Sequence, residues 1–379
     1  MGQVDLVLMY GSQSGGEAQR WVDGARREIA RDLIDKSLAT AKFGRVIVST
    51  NDPALAGAVR DLGVTVEPDP PGKAFHFGTR LQQIVANYGI ERMVYLGGGC
   101  APLLTVDTLA EMAERIRAAD RLFLANNFYS VDFCGLVPAT ALLSTRPPDH
   151  DNVLGWLCRE LDLPAHELAR TTATSFDVDT PADLVALSLH PDVPPHTRAF
   201  LDGLPLDTGH VVPAISAFLN RQAQVLISGR VSSRTMAYLE RETLCRTRVL
   251  SEERGMRASG RLARGEARSV LGMHMEAVGM ERFFQDVVPQ LGHAAFIDDR
   301  VLWAHHGAWP SAEDRFNSDL FQVDRIADPF VRRFTEAALA CPVPVVLGGH
   351  SLVSGGLCVL IEAAWAMGGV DVQRVLERG

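Results

Sequence analysis

The stretch "VYLGGGCAPLLTVDTLAEM" (94–112) begins as a short apolar run, breaks into three glycines, and resumes after Pro102 as an amphipathic helix pattern over 105–118. An apolar run of this length bounded by glycines is the pattern of a buried strand, and strand, glycine turn and helix in succession are the repeating unit of a parallel sheet covered by helices. Working outward, "VDLVLMY" (4–10), "RVIVST" (45–50), "RMVYLG" (92–97) and "RLFLA" (121–125) read as strands, with helix patterns at 53–62 and 74–88 between them. The expected fold class is α/β, with a mostly parallel sheet flanked by helices. Ligands of such sheets lie beyond the carboxyl ends of the strands. Here those ends are "YGSQSGG", "STND", "GGGCAP" and "NNFYS".

A chain of 379 residues is longer than one core usually serves. The Pro-rich stretch "LHPDVPPHTRAFLDGLPLD" (189–207) interrupts the periodicity. It predicts a first domain over 1–190, a linker over 191–207 and a second, Rossmann-like α/β domain over 208–379. Strands are expected in that second half at "AQVLIS" (223–228), "AAFI" (294–297), "RVLWA" (300–304) and "VPVVLG" (343–348).

The formal net charge of −9 argues against nucleic acid as the main partner, because duplex binding needs a basic face. One region runs against that balance: between Arg221 and Val270 there are eleven arginines and five glutamates, a surplus of six. No apolar run has the length to span a bilayer, and "MGQVDLVLMYGS" lacks the basic flank and cleavage site of a signal peptide. The expectation is a cytoplasmic protein with no membrane partner; a homo-oligomer is compatible with the sequence. Its six cysteines are scattered without paired spacing and read as buried thiols.

In "FDVDTPADLVAL" (176–187), Thr180, Pro181 and Asp183 suit the start of a helix. Asp177 and Asp179 are not needed for that purpose, and two further carboxylates are costly if buried unpaired. Taken with "RVIVSTNDPALAGAVRDLGVTV" (45–66), the Gly-Thr-Arg of "FHFGTRLQQIV" (75–85) and the Gly-x-x-Pro-Leu of "GGGCAPLL" (97–104), this motif gives the first half a resemblance. It is similar to nucleotidyltransferases of the nucleotide-diphospho-sugar transferase fold. The branches it resembles are the CMP-sugar synthetases and the guanylyltransferases of the molybdenum-cofactor (MobA-like) and phospholactate type.

The resemblance implies transfer of a nucleotidyl group from a nucleoside triphosphate to a phosphorylated sugar or small acid, with Mg²⁺ held by two acids. It places one acid at Asp177 or Asp179. The other belongs to a Gly-Asp-x-Pro turn and falls on Cys100, a soft ligand where Mg²⁺ wants hard oxygen. Nucleotide contacts are implied at Gly11, Ser12, Lys73, Gly78, Thr79, Arg80, Gly98, Gly99 and Cys100. Asn126, Asn127, Tyr129 and Ser130 stand where the acceptor lies, and Asp132 is the candidate substitute acid. A second departure is the loop "YGSQSGGEAQRW", which has no lysine before Lys36. The competing reading is a non-catalytic protein that keeps the fold to bind a nucleotide or sugar phosphate.

No family is recognised over 208–379. "QVLISGRVSSRT" (224–235) and "VPVVLGGHSLVSGG" (343–356) both place glycines, hydroxyls and a basic residue between a strand and a helix. Arg230, Ser232, Ser233, Gly349, His350 and Ser351 are therefore the expected site for a small anionic metabolite. "GGHSLVSGG" fails as a hydrolase nucleophile elbow, since Val353 replaces the last glycine and no histidine follows His350. Asp298-Asp299-Arg300 has the composition of a tight hairpin.

Overall fold

Each of the apolar runs around the opening stretch becomes a strand in the computed structural model, which describes residues 2–69, 74–307 and 309–368. The chain divides into two compact units. The first comprises Met1–Gln13, Asp23–Ser175 and Pro194–Phe200; the second comprises Ser14–Val22, Phe176–Val193 and Leu201–Gly379.

The first unit holds β1 (Asp5–Tyr10), β2 (Val46–Thr50), β3 (Thr65–Pro68), β4 (Met93–Gly97), β5 (Leu122–Ala125), β6 (Phe133–Val137) and β7 (Ala165–Glu167). They form one sheet in the order β3-β2-β1-β4-β6-β5-β7. All pairings are parallel except those of β6, which runs against β4 and β5. β1 and β2 are buried along their whole length, which is why they read as continuous apolar runs rather than alternating ones. Helices Phe77–Tyr88 and Val106–Ala118 begin on His76 and Thr105, whose side chains accept from the amides of Thr79 and Thr108. The helix Glu17–Ala39, between β1 and β2, is not anticipated by the apolar pattern. Nor is β6, which directly follows the polar residues 126–132. In the Pro-rich stretch, Pro195–Asp202 is a helix. The carboxylate of Asp32 holds its start, accepting from the amides of His196 and Thr197 and from Thr197 Oγ1 at 2.7–3.1 Å.

The second unit holds β8 (Gln224–Gly229), β9 (Arg246–Ser251), β10 (Ala294–Asp298) and β11 (Val345–Gly348), all parallel, in the order β11-β10-β8-β9. "RVLWA", expected as a strand, is instead the helix Arg300–His305. Val301, Leu302, Trp303 and Ala304 are all buried, so the segment shows no polar face from which a helical period can be read. The expected hairpin at Asp298-Asp299-Arg300 is accordingly a strand-to-helix junction. The helix Pro181–Ser188 packs on β11 and on the helices around it, with Pro181 through Leu187 buried.

Candidate functional site

In an open parallel sheet the ligand crevice forms where successive connections leave a strand in opposite directions. In the first unit that point lies between β1 and β4, since β2 and β3 extend the sheet on one side and β4 starts the other. The strand ends are Tyr10–Gln13 and Gly97–Cys100. They touch: Gly98 N donates to the Met9 carbonyl at 2.7 Å, and a Cβ on Gly98 would lie 2.5 Å from Tyr10 Cβ. Cys100 N donates to the Gly97 carbonyl at 3.3 Å, closing the turn, and the Cys100 side chain is buried.

The β1 loop is held by two side chains. Asn51 Oδ1 accepts from Ser12 N at 2.7 Å, and the Asp23 carboxylate accepts from Ser12 Oγ at 2.7 Å and from Gln13 N at 3.0 Å. Asp23 thus takes the donors of the loop that a phosphate would otherwise engage. Gly11 is exposed, with open space about it. Beside β4, Asp132 accepts from Gly97 N through its carbonyl at 3.1 Å, while its carboxylate accepts from Asn126 Nδ2 at 2.8 Å. Asp132 therefore stands next to the glycine turn. A further acid unnoticed in the sequence is Asp151, whose Oδ2 lies 3.4 Å from where a Gly97 Cβ would be and accepts from Tyr95 O–H at 3.0 Å. Burial pushes this carboxyl above its ordinary range, against the hydrogen bond from Tyr95.

The other expected residues sit as follows. Asn126 is buried, and its Oδ1 accepts from the amides of Asp132 and Phe133. Asn127 Oδ1 accepts from Arg170 at 2.6 Å, Ser130 Oγ accepts from Asn152 at 2.9 Å, and Tyr129 is 69% exposed beside Phe128 and Trp156. Arg80 is buried and gives its donors to Ser49 Oγ, the carbonyls of Glu67 and Pro68, and the Glu67 carboxylate. Gly78 N donates to the Pro148 carbonyl, and Thr79 bonds the ring of His76. Lys73 lies outside the described residues.

The second unit has its own switch point, between β8 and β10, and Arg230 spans it. Its backbone N, Nε and Nη2 all donate to the Asp298 carboxylate, at 2.6–3.1 Å. Burial pushes Asp298 up, but the charge and hydrogen bonds of Arg230 prevail and hold it below the usual carboxylate range. Gly229 must be glycine for this approach, with φ of +129° and a Cβ position 2.3 Å from that of Asp298. Next along, Arg300 is clamped by Asp299 and Asp319 in a buried triad, and burial raises both acids. His350 follows β11. Burial and the charges of Arg230 and Arg254 hold its imidazole down at about 4, against the attraction of Asp298 and Asp179.

The motif 176–187 belongs to this unit. Asp179 is exposed and Asp177 half-buried. Asp183 is wholly buried: its Oδ2 accepts from Asp179 N, Thr180 N, Thr180 Oγ1 and Ser351 Oγ at 2.7–3.1 Å. Its Oδ1 has no partner among the described residues, and burial pushes the carboxyl up to about 7. Ser232 caps helix Ser233–Glu242 through Thr235, and Ser233 is exposed. The structure thus brings Asp179, Arg230 and His350 into one electrostatic neighbourhood, and joins Ser351 to Asp183.

Among the described residues no group of three or more His, Cys, Asp or Glu is placed to hold a metal ion. At the β4 turn the thiol of Cys100 is a soft donor that does not suit a hard cation, whereas the carboxyl groups of Asp132, bonded to Asn126, and Asp151, bonded to Tyr95, are hard oxygen donors. No helix is long and apolar enough to cross a membrane among the described residues.

No family model matches the chain. A phosphoenolpyruvate guanylyltransferase from Geodermatophilus obscurus is 30% identical over an alignment of 190 residues that covers 47% of this chain and 79% of that protein. The chain belongs to the phosphoenolpyruvate guanylyltransferase family. That membership agrees with the nucleotidyltransferase resemblance and sets the class of chemistry, nucleotidyl transfer, for about half of the chain. Among solved structures, a CMP:2-keto-3-deoxy-manno-octonic acid synthetase in complex with CTP is similar at 15% identity over 48% of this chain and 95% of that one, with a TM-score of 0.36. A cytidylyltransferase from Leptospira borgpetersenii is similar at 16% identity over 49% and 85%, with a TM-score of 0.35.

The acids and cations missed in the sequence are Asp23, Arg26 and Asp151. Each is polar at a position with no motif around it, and only the packing of the helix Glu17–Ala39 and of segment 149–156 beside β4 carries the signal.

Proposed function

We propose that this protein transfers a guanylyl group from GTP to a small phosphorylated acid of the phosphoenolpyruvate type. The observation that carries this reading is the 30% identity to a phosphoenolpyruvate guanylyltransferase across 79% of that protein. An acceptor phosphate oxygen forms a bond to the α-phosphorus as the bond from that phosphorus to its bridging oxygen breaks. The electron pair leaves with pyrophosphate, and no proton has to move. Catalysis is then a matter of position and charge: in the first unit the crevice between Tyr10–Gln13 and Gly97–Cys100 would supply the position, and Asp132 and Asp151 at its side would hold the Mg²⁺ that offsets the phosphate charge. In the second unit a second anionic metabolite would draw on Ser233, Gly349 and the donors of Arg230 not given to Asp298, because Ser232 caps a helix, Ser351 donates to Asp183 and His350 is held uncharged.

The test is pyrophosphate release over a panel of nucleoside triphosphates and phospho-acids at fixed Mg²⁺. Release specific to GTP and a phosphorylated three-carbon acid is expected; no turnover and no nucleotide binding with any pair would remove the proposal. Cys100 favours a second reading, binding without turnover. Cys100→Asp separates the two: under the second reading, Mg²⁺-dependent nucleotide affinity emerges in the variant alone.

A further inference from the structure

The turn that presents Cys100 also receives a cation. Arg26, on the helix Glu17–Ala39, directs its guanidinium back across the end of β4, where Nε and Nη2 donate to the Gly98 carbonyl at 3.2 and 3.1 Å. Its side chain fills the space a Cβ on Gly99 would take, 2.4 Å from Arg26 Cγ and 2.6 Å from Nε, and Gly99 has φ of +92°. The glycine that forms the turn is thus also the glycine that admits the arginine. Arg26 is half-buried, and no carboxylate among the described residues pairs with it. Two bonds to one carbonyl use only part of the fork, leaving Nη1 and one Nη2 hydrogen for a ligand.

Where the resemblance implies a metal-binding aspartate, this chain therefore has a buried thiol and a docked guanidinium. At position 100 a carboxylate charge is thus absent and a positive charge lies beside it, while Asp132 and Asp151 remain next to Gly97; the guanidinium suits the phosphates directly. We infer that Arg26 neutralises phosphate charge at this turn in the transfer reaction, a cationic side chain standing beside the position of the missing carboxylate. The inference rests on the nucleotidyl-transfer reading above. The charge it serves is that of the triphosphate and of the pyrophosphate that keeps the electron pair when the phosphorus–oxygen bond breaks.

The experiment compares wild type with Arg26→Gln, Arg26→Lys and Arg26→Ala in two measurements, calorimetric titration with inorganic pyrophosphate and GTP, and steady-state pyrophosphate release. Arg26→Gln retains a donor for Gly98, so it removes the charge with little change of packing. The expected result is weaker pyrophosphate binding in Gln and Ala, a loss in kcat of about 100-fold, as for removal of one preorganised transition-state donor, and partial recovery in Lys. In Cys100→Asp/Arg26→Gln, turnover returns with a steeper Mg²⁺ dependence. Binding and turnover of Arg26→Gln within about twofold of wild type would overturn the inference, and so would equal losses in Gln and Lys. If wild type neither binds GTP nor releases pyrophosphate with any acceptor, it is the proposed function that fails, a result distinguishable from either.

Discussion

At the scale of single residues, two buried groups of the second unit pull stability in opposite directions with pH. Asp183 titrates from 3.8 when exposed to about 7 in the fold. Between those values the folded chain keeps a proton that the unfolded chain has lost, so rising pH favours unfolding across that window and the loss is complete above about 7. His350 behaves oppositely. Its fall from 6.5 to about 4 means the unfolded chain gains a proton first, so falling pH favours unfolding over that range. The Asp183 effect is read as a difference: Asp183→Asn keeps the acceptor for Thr180 and Ser351 but cannot ionise. Relative to wild type, its urea midpoint is expected to rise from about pH 4 to about 7, with a slope of up to about 1.4 kcal/mol per pH unit. Parallel pH profiles for the two proteins would show that Asp183 is not the titrating group. Arg80 is a second residue-scale case. Removing its buried guanidinium leaves Glu67 and Asp69 without their counter-charge, each keeping only a hydroxyl donor, Tyr88 and Ser49 respectively, so Arg80→Met is expected to lower stability by about 3 kcal/mol in denaturant unfolding.

At the scale of elements, the glycines separate structure from habit. A Cβ on Gly78 would lie 2.3 Å from both Cδ and N of Pro148 and 2.4 Å from its carbonyl oxygen, so the Pro148 segment packs this closely on the start of helix Phe77–Tyr88 only against glycine. Gly78→Ala is expected to cost about 1–3 kcal/mol, with the helix start displaced. Gly57 is the contrast. It lies exposed inside helix Pro53–Val59 with nothing within 4 Å of a Cβ, so Gly57→Ala is expected to raise stability by about 0.5–1 kcal/mol. Thermal midpoints moving in opposite directions check both. The same contrast explains what can be read from the sequence. β1, β2 and β4 are visible because burial on both faces makes each an unbroken apolar run. Arg300–His305 reads as a strand because burial on all sides erases the helical period. The helix Glu17–Ala39 is invisible because its polar and charged residues dilute any apolar stripe, and Arg26 is hidden with it. The glycine turn and Cys100 can be found because the resemblance marks that position, whereas Asp151 and Arg26 reach it from segments remote in sequence.

At the scale of the whole molecule, the composition of the Pro-rich stretch suggests a boundary near 191–207, whereas the contacts assign Phe176–Val193 to the second unit. The physical reason is the helix Pro181–Ser188, buried from Pro181 through Leu187 against β11 and its neighbours, together with the Ser351 hydrogen bond to Asp183 at 2.7 Å. An apolar surface of that kind cannot be left in water without loss, at about 25 cal/mol for each Å² exposed. A fragment that starts at Phe176 and runs to the C-terminus is therefore expected to melt at a higher temperature, and more cooperatively, than one that starts at Asp207. The shorter fragment exposes the face of β11 that the helix covers and leaves Ser351 without its acceptor, and it should bind a hydrophobic dye that the longer one does not. Equal midpoints and equal dye binding would mean that Phe176–Val193 contributes nothing to the second unit's fold, and the boundary suggested by composition would then be the physical one.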